Sequence, residues 1–125
     1  SAINSLTGRV IWRNNFSSTK DILEIERKIY VVDEDSEVQA FSGLTGTSLW
    51  RTKDYRLRNL TSPKRLKNYI VVGDFEGYLH FLDTSSGSTI GRYRVSRSGI
   101  LSLKTYKNSI VCLDISGRLT YLEVK

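Results

Sequence analysis

Hydrophobic positions in this chain come in short runs broken by turn-forming residues, and the runs recur at a nearly constant spacing. The clearest stretch is residues 69–91. Tyr69 to Gly73 is a β-branched apolar run, and Asp74 to Gly77 is a turn with glycine where the backbone needs positive φ. Tyr78 to Asp83 is a second run rich in aromatic and apolar residues, and Thr84 to Gly87 turns again. The pattern predicts two short antiparallel strands with a tight turn after each.

Weaker copies lie on both sides. Asp33, Asp74 and Asp114 each close a run of the Ile-Val type, at separations of 41 and 40 residues, and five residues after each comes the apolar residue that starts the next strand, Val38, Leu79 or Leu119. A second series, the glycines that end the following turns at Gly8, Gly46 and Gly87, has separations of 38 and 41. A repeat of about 40 residues built from short strands is the signature of a β-propeller blade. The expected fold is therefore all-β: a β-propeller fragment with four-stranded antiparallel blades.

The strands divide the chain into residues 1–13, the end of one blade; 21–51, a full blade; 60–95, a second full blade; and 99–125, three strands of a last blade. Within the first unit Ser1 to Asn4 ends a strand, Ser5 to Gly8 turns, and Arg9 to Arg13 is an outermost strand. Pro63, the single proline, is expected in the innermost strand of its blade, an edge where a missing N–H removes no ladder bond. Trp12 and Trp50 each lie four residues after a turn glycine, Gly8 and Gly46, at the end of an outermost strand where a large flat ring can wedge between blades. The third copy has Gly91 at that position, so Tyr93, two residues on and on the same strand face, is expected to take the packing role.

Composition narrows the class. With 125 residues, 39% hydrophobic and 26% charged, the chain has ordinary globular content, and 19 basic against 13 acidic residues give a net charge of +6. No apolar run reaches the ~20 residues of a membrane-spanning helix, and the first residues have neither the charged nor the apolar part of a signal peptide. The absence of methionine and a start inside a repeat read as an excised piece of a longer protein. Cys112, the single cysteine, sits in an apolar run and reads as a buried inert thiol.

The residues also carry a family resemblance. Residues 2–12, Ala-Ile-Asn-Ser-Leu-Thr-Gly-Arg-Val-Ile-Trp, repeated loosely from Ala40 to Trp50, resemble the tryptophan-docking repeat of quinoprotein-like propellers and lack the Gly-His and Trp-Asp pairs of WD40 blades. More narrowly, Leu60-Thr61-Ser62-Pro63 followed by residues 71–80, Val-Val-Gly-Asp-Phe-Glu-Gly-Tyr-Leu-His, resembles the C-terminal part of the BamB family, lipoprotein subunits of the outer-membrane β-barrel assembly machinery. The stretch Arg27 to Asp33 is similar to that family too. The resemblance implies a complete protein of eight blades at the periplasmic face of the bacterial outer membrane, held by a lipid anchor. It would bind the POTRA domains of BamA, and unfolded outer-membrane proteins, as a non-enzymatic scaffold that assists β-barrel folding and insertion. The lipidated cysteine of the family has no counterpart here, and Cys112 does not match it. Two positions depart from the repeat: Gly91 replaces the docking tryptophan, and Ser36 stands where the other copies have Gly77 and Gly117.

Candidate chemistry agrees with a binding role. His80, the single histidine, shares a strand face with Tyr78 and Leu82 and reads as a packed, hydrogen-bonded residue. Asp33, Asp74 and Asp114 recur at equivalent places, which marks turn caps and not a catalytic pair. The cluster Glu34, Asp35 and Glu37 reads as a solvated turn. No cofactor or metal site is expected, since no second histidine or cysteine supplies metal-ligand spacing. Arg56, Arg58, Lys64, Arg65 and Lys67 form the candidate partner-facing basic patch, with Arg92, Arg94 and Arg97 at the exit of the same blade. Such charges are solubilising, or they meet an acidic protein surface or anionic headgroups. Nucleic acid is not expected, because no ladder of stacking aromatics accompanies them. The alternatives to the scaffold are a propeller fragment of a quinone-dependent dehydrogenase, which the missing paired cysteines oppose, and a basic nucleic-acid-binding module. Open blade edges at both ends make self-association the expected behaviour of the fragment, for example Arg9 to Arg13 of one molecule completing the last blade of another.

Overall fold

The computed structural model describes residues 7–15, 17–18 and 20–124. Three sheets follow one another along the chain. β1 (Leu23–Ile25), β2 (Lys28–Val32), β3 (Val38–Ser42) and β4 (Ser48–Thr52) pair in sequence order as a four-stranded antiparallel meander. β5 (Lys64–Leu66), β6 (Tyr69–Gly73), β7 (Tyr78–Asp83) and β8 (Thr89–Arg94) repeat it. β9 (Ile100–Tyr106), β10 (Ser109–Asp114) and β11 (Leu119–Glu123) form a three-stranded sheet. The innermost strands of neighbouring sheets, β1 with β5 and β5 with β9, touch. This is the architecture of consecutive propeller blades.

The two-residue period of each strand decides how the blades stack. Along β6, Ile70 and Val72 face the first sheet, where they join Ile25, Tyr30, Val32, Val38, Ala40, Tyr55, Leu60 and Leu82 in one buried cluster. Val71, between them, faces the other way and joins Leu66, Leu79, Ile100, Leu103, Ile110 and Cys112 in a second. A middle blade is thus apolar on both faces, which is why its central strand reads as an unbroken hydrophobic run. Cys112 is buried, and burial followed by the nearby Asp114 carboxylate raises its thiol pKa.

Register breaks recur with the repeat. The pairing of β3 with β4 slips between Ala40 and Phe41, and that of β7 with β8 between Phe81 and Leu82, so Leu49 and Ile90 are the extra residues of matching bulges. Residues 9–13 form no strand. A strand is defined by its hydrogen-bonded neighbour, and none of the described strands lies beside this segment. The expected strand Ser1 to Asn4 lies outside the described residues, as do Ser5 and Leu6 of the turn that ends at Gly8. Pro63 is buried immediately before β5 and not within it. There the chain already runs beside the end of β6, Thr61 N–H donating to the Gly73 carbonyl at 2.9 Å.

Candidate interaction surface

The turns between second and third strands are built alike in all three sheets, around one aspartate. Oδ1 of Asp33 accepts from the amides of Asp35 (2.9 Å) and Glu37 (3.0 Å). Oδ1 of Asp74 accepts from Glu76 (2.9 Å) and Tyr78 (3.0 Å), and Oδ1 of Asp114 from Ser116 (3.0 Å) and Arg118 (2.9 Å). Each carboxylate satisfies two turn amides that the strands leave unpaired. The residue three after each aspartate adopts positive φ: Ser36 at 63°, Gly77 at 94° and Gly117 at 91°. Ser36 accepts that backbone without glycine, and its hydroxyl takes the Leu60 amide at 3.1 Å, tying the turn to the connection into the next blade. The same turns dock on the incoming connections through Glu34 to Ser17, Phe75 to Arg58 and Ile115 to Gly99, each amide donating to the carbonyl at 2.9–3.0 Å.

The second carboxylate oxygen distinguishes the blades. Asp33 Oδ2 accepts from Gln39 Nε2 at 3.2 Å, and Asp74 Oδ2 meets His80 Nε2 at 2.7 Å; Gln39 and His80 both lie six residues after their aspartate. His80 is buried between the rings of Tyr55, with centroids 4.6 Å apart, and Tyr78, at 6.2 Å. Arg58 Nη1 approaches Asp74 Oδ2 and Glu76 Oε1, both at 3.4 Å. Burial pushes the Asp74 carboxyl up, but the hydrogen bonds from His80 and from the Tyr78 and Glu76 amides outweigh it and leave the pKa below the ordinary value. His80 and Asp74 are therefore committed to each other and to the turn.

Tryptophans stitch each blade to the next. The Trp50 indole lies on Gly87, so close that a Cβ there would stand 2.7 Å from Cδ2 and 2.8 Å from Cζ3, and its Nε1 donates to the Thr84 carbonyl at 2.9 Å. Trp12 does the same one blade earlier: Gly46 lies under its ring, and Nε1 donates to the Gly43 carbonyl at 2.8 Å. Gly46 and Gly87 both hold φ +76°. Gly8 has no left-handed φ, and no atom of the described residues lies near the place of a Cβ. Tyr93 takes no such packing role among the described residues; it is 59% exposed, and Gly91 has open space where a Cβ would be. Among the described residues no turn of the third sheet corresponds to the one that receives Trp50.

The basic patch divides. Arg56 and Arg58 lie in the connection between blades, beside the aspartate turns, where Leu57 N–H reaches the Asp35 carbonyl. Arg58 is half-buried on Asp74 and does not face outward as expected. Lys64, Arg65 and Lys67 run along β5 to the β5–β6 hairpin at the opposite end of β6, so the five do not form one surface. There Arg65 and Lys67 share a cleft of about 460 Å³ with Asn68, Lys107 and Asn108 of the neighbouring blade's hairpin. Lys107 escaped sequence reasoning. The signal was present in the repeated Lys-Asn pairs at 67–68 and 107–108, but adjacency across blades is a tertiary fact. Among the described residues no group of histidine, cysteine and carboxylates could hold a metal ion.

Comparison with known proteins resolves which propeller this is. The family model for outer membrane protein assembly factor BamB matches residues 1–119. The chain belongs to the BamB family. Curated BamB relatives include those of Shewanella oneidensis, 43% identical over 96 residues that cover 77% of this chain and 24% of the relative, and of Salmonella typhimurium, 33% identical over 120 residues that cover 96% and 31%. The chain thus spans about a quarter to a third of the length of these relatives. Among solved structures, that of BamB from Moraxella catarrhalis superposes with a TM-score of 0.87 at 30% identity, covering 94% of this chain and 36% of that one. The computationally designed Ika8 protein, at 17% identity and a TM-score of 0.70, shares the fold alone. Within the BamB family reading, Ser36 and Gly91 are local departures that leave the blade intact.

Proposed function

We propose that this chain forms consecutive blades of a non-enzymatic scaffold in the outer-membrane protein assembly machinery. Its place is the periplasmic face of the outer membrane, where it binds the POTRA domains of BamA and helps β-barrel precursors fold and insert. The observation that carries this reading is the BamB family match across residues 1–119. The geometry supports it: the capped turns and tryptophan joints make a rigid frame, and the Asp74–His80 pair, the nearest thing to an acid–base couple, is consumed in holding a turn. A scaffold needs such stiffness, because preorganised surfaces lose less entropy on binding.

The test is retention of the intact polypeptide on immobilised BamA POTRA domains. Specific retention that survives 150 mM salt is the expected result. Absence of retention at any salt concentration would overturn the reading.

A further inference from the structure

A cleft of about 540 Å³ lies where the connection from β8 to β9 passes the β10–β11 turn, and three arginines line it: Arg94, Arg97 and Arg118. None of the three pairs with a carboxylate among the described residues. Like charges gathered in one concavity repel, an arrangement that an anion relieves. The acid in the cleft, Asp114, does not do so. Its Oδ1 accepts from the Ser116 hydroxyl (2.6 Å) and from the Ser116 and Arg118 amides, and its Oδ2 from the Ser96 hydroxyl (2.6 Å), so its oxygens are spent on the turn. These bonds also consume the Ser96 and Ser116 hydroxyl protons, which leaves the guanidiniums as the cleft's principal donors.

Arg94 is prepared for such a ligand. Its Nε donates to the carbonyls of Glu76 (3.2 Å) and Ser96 (3.1 Å), and its guanidinium lies 5.3 Å from the centroid of the Tyr78 ring. That fixes the plane of the fork while its terminal nitrogens make no other bond among the described residues, and a planar fork matches a carboxylate with two parallel bonds. Glu76 competes weakly, since its side chain is directed to Arg58.

Apolar groups on the rim identify the kind of partner. Gly99 follows the cleft residue Ser98, and it touches the backbone of Phe75 while its carbonyl accepts the Ile115 amide. Phe75 and Ile115, the tips of the two neighbouring turns, are 50% and 69% exposed. Arginine flanked by exposed apolar side chains is the composition of protein-binding surfaces. A phosphate backbone or a lipid headgroup would use the cations and leave Phe75 and Ile115 in water. We infer that the Arg94–Arg97–Arg118 cleft, with Phe75 and Ile115 on its rim, binds an acidic protein segment that carries carboxylates beside an apolar side chain. This surface is at the opposite end of the blades from the Lys67–Lys107 cleft, and it does not depend on the identity of the partner proposed above.

The test uses the intact polypeptide and a fluorescein-labelled decapeptide of alternating Glu and Phe, followed by fluorescence anisotropy, with the Gln-for-Glu peptide as its neutral counterpart. Expected is saturable binding of the acidic peptide only, weakened at least tenfold by Arg97→Glu with Arg118→Glu, and weakened less by Phe75→Ser with Ile115→Ser. Arg94 is left in place because it supports the turn, and an unchanged circular dichroism spectrum shows that the variants fold. Equal weakening by Lys67→Glu with Lys107→Glu would overturn the inference, because net charge and not the cleft would then be the cause. Failure of the cleft variants to alter binding would overturn it too. So would displacement of the peptide by anionic phospholipid vesicles or single-stranded DNA at lower concentration than by unlabelled peptide.

Discussion

Replacing Gly87 by alanine tests the joint between blades directly. The new methyl group meets two separate penalties. At φ +76° an L-residue is in the left-handed region, which costs about 1–2 kcal/mol. The Cβ would also press into the Trp50 ring, 2.7 Å from Cδ2 and closest to Cε3, and the ring cannot swing aside without giving up its 2.9 Å bond to the Thr84 carbonyl. Overpacking of this kind costs a further ~1–3 kcal/mol, so the whole loss is about 2–5 kcal/mol. Gly117→Ala isolates the first penalty, since φ there is +91° but nothing lies within 4 Å of its Cβ; about 1–2 kcal/mol is expected. Urea unfolding followed by far-ultraviolet circular dichroism measures both, and the same Gly87→Ala change made in a Trp50→Ala background completes the cycle. Without the ring, the Gly87→Ala loss should shrink to the conformational cost alone. Equal losses at Gly87 and Gly117, or an undiminished loss in the absence of Trp50, would refute the idea that the indole is wedged onto this glycine.

Asp74→Ala should be among the most destabilising substitutions, about 3 kcal/mol or more by urea midpoint, because it strands buried His80 and two turn amides that the carboxylate now satisfies. Acid should weaken the fold through the same turns. The folded pKa values of Asp74 and Asp114 lie below the ordinary 3.8, so their stabilisation is complete above that pH and is lost as the pH falls below it through the folded values. Unfolding midpoints measured between about pH 6 and pH 2 should therefore drop steeply at the acid end, and Asp114→Asn should flatten the drop. Ser36→Ala should cost about 1–2 kcal/mol by removing the acceptor of the Leu60 amide, while Ser36→Gly should cost less, because relief at φ 63° offsets part of that loss. A larger loss for the glycine variant in the same urea assay would sink this account.

Much of the site was legible before any coordinates. The aspartates were readable as caps because the same residue closes every copy at the same offset, and their bonds are local, spanning at most four residues for the amides. The chemistry of His80 was readable only in kind. That it meets Asp74 follows from the six-residue offset across one tight turn, but its enclosure by Tyr55 brings in the connection from another blade. Arg58 shows the limit most clearly: in sequence it is one of several linker cations, and only the path of the connection past the Asp74 turn turns it inward. The cleft of Arg94, Arg97 and Arg118 joins residues more than twenty positions apart, with no repeat to announce it.

By itself the sequence determined the strands, their turns and the blade repeat, because period-two alternation, positive-φ positions and aspartate caps are properties of neighbouring residues. It also determined the family. The tertiary structure alone decided which strands exist in pairs, leaving residues 9–13 irregular while Trp12 still reaches Gly46. It also decided which cations share a surface, dividing the linker patch and bringing Lys107 beside Lys67. Pairing and proximity depend on where distant segments are packed, and that position is set by the burial of both faces of each blade against its neighbours.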